Sequence, residues 1–254
     1  MRQTLRSENL VEYFDRTAAR FAARYGTDPA FYERRAVWHR AIERALPGVP
    51  QGALCLDLGC GDGSLSRWVA AQGRPVVGLD QSEAMLDLAR RRAGEEGLGP
   101  RAVYHRASLP LDPAREAEYE GKAGLIVCSS VLEYVDDPPE VLAQCRRLLM
   151  PGGILLVSLP NRDSIYRIAQ RALHGLFAWT DSYLRHQRHQ YSLPVAGALL
   201  TRLGYQVVDA VFFALPSHRY VARIARDRRG RRLATMMLLA AHKPRLFNPD
   251  LTRS

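Results

Sequence analysis

Lysine is nearly missing from this sequence. Lys122 and Lys243 are the only two among 36 basic residues, so arginine carries almost all of the positive charge. A net charge of +10 suits nucleic acid, anionic lipid or an acidic protein as partner. The arginines are nevertheless spread through helical segments, and most of them read as solvated faces. Cysteine is scarce as well. Cys55, Cys60, Cys128 and Cys145 are scattered without a CxxC pair, which excludes a disulfide scaffold and a zinc site of ordinary spacing and fits a reducing cytoplasmic interior. No run of 18 apolar residues exists, which excludes a spanning helix by length. The opening stretch from Met1 to Arg16 lacks the apolar segment of a secretory leader. Repeats and low-complexity tracts are absent too. What remains is 254 residues, 47% of them hydrophobic, enough for one large domain with a small appendage.

Apolar spacing divides the chain. Residues 8–46 carry two helical stripes, one from Leu10 to Tyr25 and one through Phe31, Trp38, Ile42 and Leu46. Asp28-Pro29 opens the second with a cap and a proline at its first turn. Pro47-Gly48-Val49-Pro50 breaks the chain, so residues 1–50 read as a helical cap and 51–254 as the main domain. Short apolar runs at 53–58, 75–80, 102–106, 123–129 and 154–159 alternate with helical stretches at 63–72, 82–94 and 138–149. That alternation predicts βαβ units and a parallel sheet. An amphipathic stripe from Ile165 to Phe177 predicts a lid-like insertion over about 161–192. A helix at 193–203 and two β-rich runs at 205–213 and 232–241 close the chain.

The sharpest feature is Asp57-Leu58-Gly59-Cys60-Gly61-Asp62-Gly63, which follows a predicted strand and opens a predicted helix. Glycines there permit positive φ and close approach of a ligand to the backbone. The helix start adds free N–H donors. The spacing is not G-x-G-x-x-G, because Ser64 stands where the third glycine would fall, and no Gly-Lys-Ser/Thr follows. Asp80 ends the second strand, where a carboxylate can accept both hydroxyls of a ribose. The pair suggests a ligand with a ribose and little phosphate.

At these residues the sequence resembles the class I S-adenosylmethionine-dependent methyltransferases. The matching segments are Leu56–Gly63, Gly78-Leu79-Asp80, Cys128–Val135 and Leu149–Gly153. Tyr13-Phe14-Asp15 and the helices after it resemble the cap of small-molecule members, including ubiquinone-pathway O-methyltransferases. The resemblance implies an α/β fold: a Rossmann-like, seven-stranded, mostly parallel sheet with an antiparallel last strand and helices on both faces. It implies S-adenosylmethionine as cofactor and S-adenosylhomocysteine as product. Gly59, Cys60 and Gly61 would line the methionine part, and Asp57 would help hold its amino group. Asp80 would bind the ribose, with Gln81 and Met85 beside the adenine. Ala107-Ser108 replaces an acidic residue common in the family, so the adenine contact would rest on Ser108, Leu109 or backbone. Ser129 would lie near the methyl donor.

Methyl transfer needs alignment above all, and an oxygen or nitrogen nucleophile must also lose a proton. Many relatives carry a His after the fourth strand; here the residue is Tyr134. Candidates for the base are therefore His189 and His186, with His174 and His218 behind them. Glu133 reads as a structural acid at a helix start. No carboxylate cluster calls for a divalent metal, so metal-free chemistry is expected. The stripe at 164–177 with Arg167, Arg171, Arg185 and Arg188 suits a lid, or a peripheral contact with an anionic membrane surface. Methylation of a small apolar or aromatic metabolite is the leading reading. Methylation of RNA or protein, or a non-catalytic scaffold, are the alternatives, and no asparagine-proline catalytic signature supports nucleic acid.

Overall fold

The computed structural model describes residues 10–19, 23, 29–168, 186–214 and 228–245. Two helices come first, α1 (residues 10–19) and α2 (Pro29–Ala45). The alternating part follows as β1 (Leu54–Leu58), α3 (Ser64–Ala71), β2 (Val76–Asp80), α4 (Glu83–Glu95), β3 (Ala102–Arg106), α5 (Pro113–Tyr119), β4 (Ala123–Cys128), α6 (Pro138–Leu148) and β5 (Leu149–Pro160). A helical stretch α7 (residues 165–168) precedes α8 (Leu193–Arg202), β6 (Gln206–Phe213), α9 (Arg228–Leu233) and β7 (Met236–His242).

The seven strands form one sheet in the order β3-β2-β1-β4-β5-β7-β6. Pairings are parallel from β3 to β5, while β7 runs antiparallel to both of its neighbours. This is the expected mostly parallel sheet with its antiparallel last strand. The central strands are mostly apolar because helices cover both faces; all six residues of β4 are buried. Among the described residues the two larger buried clusters lie on the sheet. One holds Leu56, Ile126, Leu155 and Leu200, and the other packs Trp38 and Ile42 of α2 with Leu125, Leu156 and Phe213.

Local signals account for most helix starts. Ser82 Oγ accepts from the Met85 amide, and Asp137 accepts from the Glu140 amide ahead of Pro138-Pro139. Three boundaries differ from the sequence reading. α5 was not expected, although Asp112 caps it and Pro113 opens it. β5 begins at Leu149 and carries Pro151-Gly152-Gly153 within it, with a register shift against β4, so these residues bend a strand instead of preceding one. The closing β-rich run starts at Met236, because Arg228–Leu233 is helical.

The sheet order reverses between β1 and β4, since β2 leaves β1 on one side and β4 joins it on the other. At such a switch point the loops past the strand ends diverge and leave a crevice. The turn after β1 and the segment after β4 both face it.

Candidate active site

The crevice is a cavity of about 1030 Å³. The turn after β1 supplies its floor. Gly59, Gly61 and Gly63 all have positive φ, at 69°, 52° and 72°. The Gly59 and Cys60 amides both donate to the Leu79 carbonyl, at 2.7 and 3.1 Å, which carries the β1–β2 ladder into the turn. A Cβ on Gly61 would meet nothing within 4 Å, so its bare α-carbon faces open space. A Cβ on Gly59 would stand 2.2 Å from Val131 Cγ2, so that glycine serves the close approach of the post-β4 segment.

On the β2 side of β1, Asp80 is held at both oxygens. Oδ2 accepts from the Gly61 amide and Oδ1 from the Ser82 amide, each at 2.9 Å. Burial raises its pKa, and these N–H groups oppose the rise. Each oxygen still has a second acceptor site. Gln81, Met85, Ser108 and Leu109 line the same region. Asp57 lies beneath the turn at 3% exposure and accepts from Ser66 Oγ at 2.6 Å. Burial pushes its carboxyl up to about 7, against the Ser66 hydrogen bond and with help from the charge of Asp80.

On the β4 side the structure brings together residues that the sequence reading did not join. Arg34 of α2 donates from Nη2 to Ser129 Oγ at 3.0 Å and to Ser130 Oγ at 2.6 Å. Ser130 has φ 55°, unusual for a residue with a Cβ, and its amide is tied to Ser158 Oγ at 2.9 Å. Glu133 is 1% exposed, lines the cavity, and its Oε2 has no hydrogen-bond partner. It does not start a helix as expected, since α6 begins at Pro138; the turn after β4 tucks it inward instead. Burial pushes its carboxyl up to about 7, although the charges of Arg34 and Arg167 pull the other way. Arg167 of α7 is itself buried, donating to Gln187 Oε1 at 2.7 Å and to Met236 Sδ at 3.6 Å. It therefore does not flank a surface as its place in the stripe suggested.

The histidines are placed otherwise. His189 Nε2 lies 3.0 Å from the Val135 carbonyl, and His186 packs against Tyr13 with ring centroids 5.5 Å apart. Among the described residues neither lines the cavity. His174 and His218 lie outside the described residues, as do Arg171, Arg185 and the stripe beyond Ile168. Arg34 carried no sequence signal, because 95 residues separate it from Ser129.

A glycine turn at the switch point, an acidic residue ending β2 and a cavity between them define a nucleoside-binding α/β domain of the methyltransferase kind. The comparisons agree. Residues 31–210 match the family described as methyltransferase domain. The chain belongs to that family, and with it to the class I S-adenosylmethionine-dependent methyltransferases. It is similar to the ubiquinone biosynthesis O-methyltransferase of Marinobacter nauticus, 38% identical over 112 residues, covering 44% of this chain and 46% of that protein. The corresponding protein of Hahella chejuensis is 40% identical over 119 residues, covering 47% and 46%. The matches thus span less than half the length of these relatives. Among solved structures, the magnesium protoporphyrin IX methyltransferase of Synechocystis with bound S-adenosylhomocysteine shares the fold. Its TM-score is 0.70 at 20% identity, over 93% of this chain and 99% of that one.

Proposed function

We propose that this chain transfers the methyl group of S-adenosylmethionine to a small apolar or aromatic molecule, at oxygen rather than nitrogen, in the cytoplasm. One observation carries the reading: a single cavity joins the glycine turn and Asp80 on the β2 side of β1 to a buried polar cluster on the β4 side. The relatives named above are O-methyltransferases, which favours oxygen.

The residues present fit the cofactor. Asp80 would accept the ribose hydroxyls on its remaining lone pairs, with its orientation fixed by the Gly61 and Ser82 amides. Gly61 leaves room for close approach, and Asp57, Gly59 and Cys60 would surround the methionine end. Gln81, Met85, Ser108 and Leu109 would enclose the adenine, and Ser129 would stand near the reacting end. Bound there, the cofactor supplies an electrophilic methyl on a positively charged sulfur. The chain's own work is alignment and exclusion of water. α2 takes part in it, because Arg34 ties that helix to Ser129 and Ser130. Exposed Ile165, Tyr166 and Ile168 of α7 support a peripheral contact with an anionic membrane surface, from which an apolar acceptor would be drawn.

Isothermal titration with S-adenosylmethionine tests the reading. Binding in the micromolar range, followed by transfer of a labelled methyl to a phenolic acceptor, is the expected result. No heat and no thermal shift would remove it. Cosedimentation with vesicles containing anionic lipid checks the membrane contact.

A further inference from the structure

The cavity's β4 side contains an imbalance of buried groups. Glu133 has an unpartnered Oε2, and the Nε atoms of Arg34 and Arg167 are likewise buried without partners. Burying charge costs free energy unless it is paired and hydrogen-bonded. Here two guanidinium groups act on one carboxyl, so the cluster has an excess of positive charge. Arg34 spends Nη2 on two neutral hydroxyls. Arg167 spends one N–H on a thioether sulfur, a weak acceptor. The other neighbours of Glu133 do not correct the balance. Ser130 hydrogen-bonds its side chain, the Cys128 thiol behind it is held neutral by burial, and the Arg188 amide donates to its backbone carbonyl at 2.7 Å. The Arg188 side chain pairs with Asp136. Such a site welcomes a group that arrives neutral, gives up a proton and becomes an anion.

We propose that Glu133 takes the proton from the methyl-accepting hydroxyl, with Arg34 and Arg167 stabilising the oxyanion that forms. This rests on the methyltransferase reading and names its acceptor as a hydroxyl of phenolic acidity. The step balances: the acceptor O–H bond breaks, its electron pair stays on the acceptor oxygen, and the proton forms a new O–H bond on Glu133. Two arguments set the acceptor class. A base that titrates near neutral pH is matched to a donor a few units weaker, as phenols are, and not to a simple alcohol. Proton transfer from such a hydroxyl also moves the negative charge from the Glu133 carboxylate onto the acceptor oxygen, within reach of the same two arginine charges.

The test compares wild-type protein with Glu133→Gln, a nearly isosteric change, on two probes, catechol and 4-nitrocatechol, at pH 8. Catechol is neutral in solution there and 4-nitrocatechol is already ionised. Calorimetry with S-adenosylmethionine first shows that the variant folds and binds as wild type does. Catechol methylation should then fall by about 10²–10⁴-fold, the usual worth of a positioned base. Methylation of 4-nitrocatechol should fall less than about tenfold, because its proton is already gone. Infrared difference spectra between pH 6 and 8 give a readout apart from turnover: the protonated-carboxyl signal that titrates near neutral pH should lose Glu133's share in the variant, leaving the share of Asp57. Equal losses on both probes, no loss on catechol, or an unchanged infrared titration would overturn the proposal. Wild-type protein that binds the cofactor but methylates neither probe would overturn it too. Failure to bind the cofactor at all would instead defeat the methyltransferase reading.

Discussion

The backbone N–H of Gly61 donates to Oδ2 of Asp80 at 2.9 Å, so the turn that follows β1 is fastened to the last residue of β2. The bond fixes the carboxylate before any ligand arrives, and preorganisation of this kind lowers the cost of binding. Asp80→Ala removes the acceptor and leaves the Gly61 and Ser82 amides without their partner. Affinity for S-adenosylmethionine should fall by about 1–3 kcal/mol, the cost of unpaired buried polar groups. Calorimetric titration checks this, and a variant with undiminished affinity would refute the ribose assignment.

Gly59 and Gly61 share a left-handed backbone but should fail differently. Both would strain as alanine, by about 1–2 kcal/mol. A Cβ at Gly59 also collides with Val131, so Gly59→Ala should cost roughly 2–4 kcal/mol of stability in urea unfolding. Val131→Ala in the same chain should recover part of that loss. Gly61→Ala meets no atom within 4 Å, so its stability should drop only by the strain. Its methyl group would stand in the cavity, and the loss should appear in cofactor affinity instead.

These residues were legible in the sequence because the signal is local. The turn needs its glycines, and Asp80 ends an apolar run a fixed distance downstream. Ser82, a residue type suited to capping at the start of the helical stretch 82–94, accepts from the Met85 amide. The Asp112-Pro113 start of α5 carries the same signature as Asp28-Pro29, but only seven residues of helix follow, too few to show an apolar period. The β4 side was illegible for a different reason. Arg34, Glu133 and Arg167 come from three separate segments, and no periodicity relates them. Arg167 sits in an amphipathic stripe where an arginine ordinarily faces water. Only the fold turns it inward to Gln187 and Met236.

The pH dependence of stability should report Asp57. Its carboxyl titrates near 7 in the folded chain, chiefly from burial, and near the ordinary value of about 4 when unfolded. Between those values the folded state binds more protons, so stability falls as pH rises. The contribution is fully present below about pH 4, is lost as pH rises through 7, and amounts to roughly 2–4 kcal/mol. Asp57→Asn keeps a group that can accept from Ser66 and should flatten this part of the profile. Denaturant titrations at intervals from pH 4.5 to 8 measure the slope. A slope unchanged in the variant would assign the titration to another group, of which Glu133 is the first candidate.

α2 belongs to the same core as the sheet, and Trp38 tests how firmly. Its side chain is 1% exposed and shares a buried cluster with Leu125, Leu156 and Phe213. Trp38→Ala should therefore cost about 3–5 kcal/mol, the price of a large buried void. Trp38→Phe should lose less than half as much, because the indole Nε1 has no hydrogen-bond partner to forfeit. The effect should reach the cavity, since Arg34 lies one turn earlier on the same helix and anchors Ser129 and Ser130. A helix loosened at Trp38 should thus weaken acceptor turnover more than cofactor binding, whose proposed contacts come mainly from the turns after β1, β2 and β3. If unfolding of Trp38→Ala shows two transitions, with the sheet retaining wild-type stability, α2 is a separable cap; a single transition shifted as a whole makes it part of the domain.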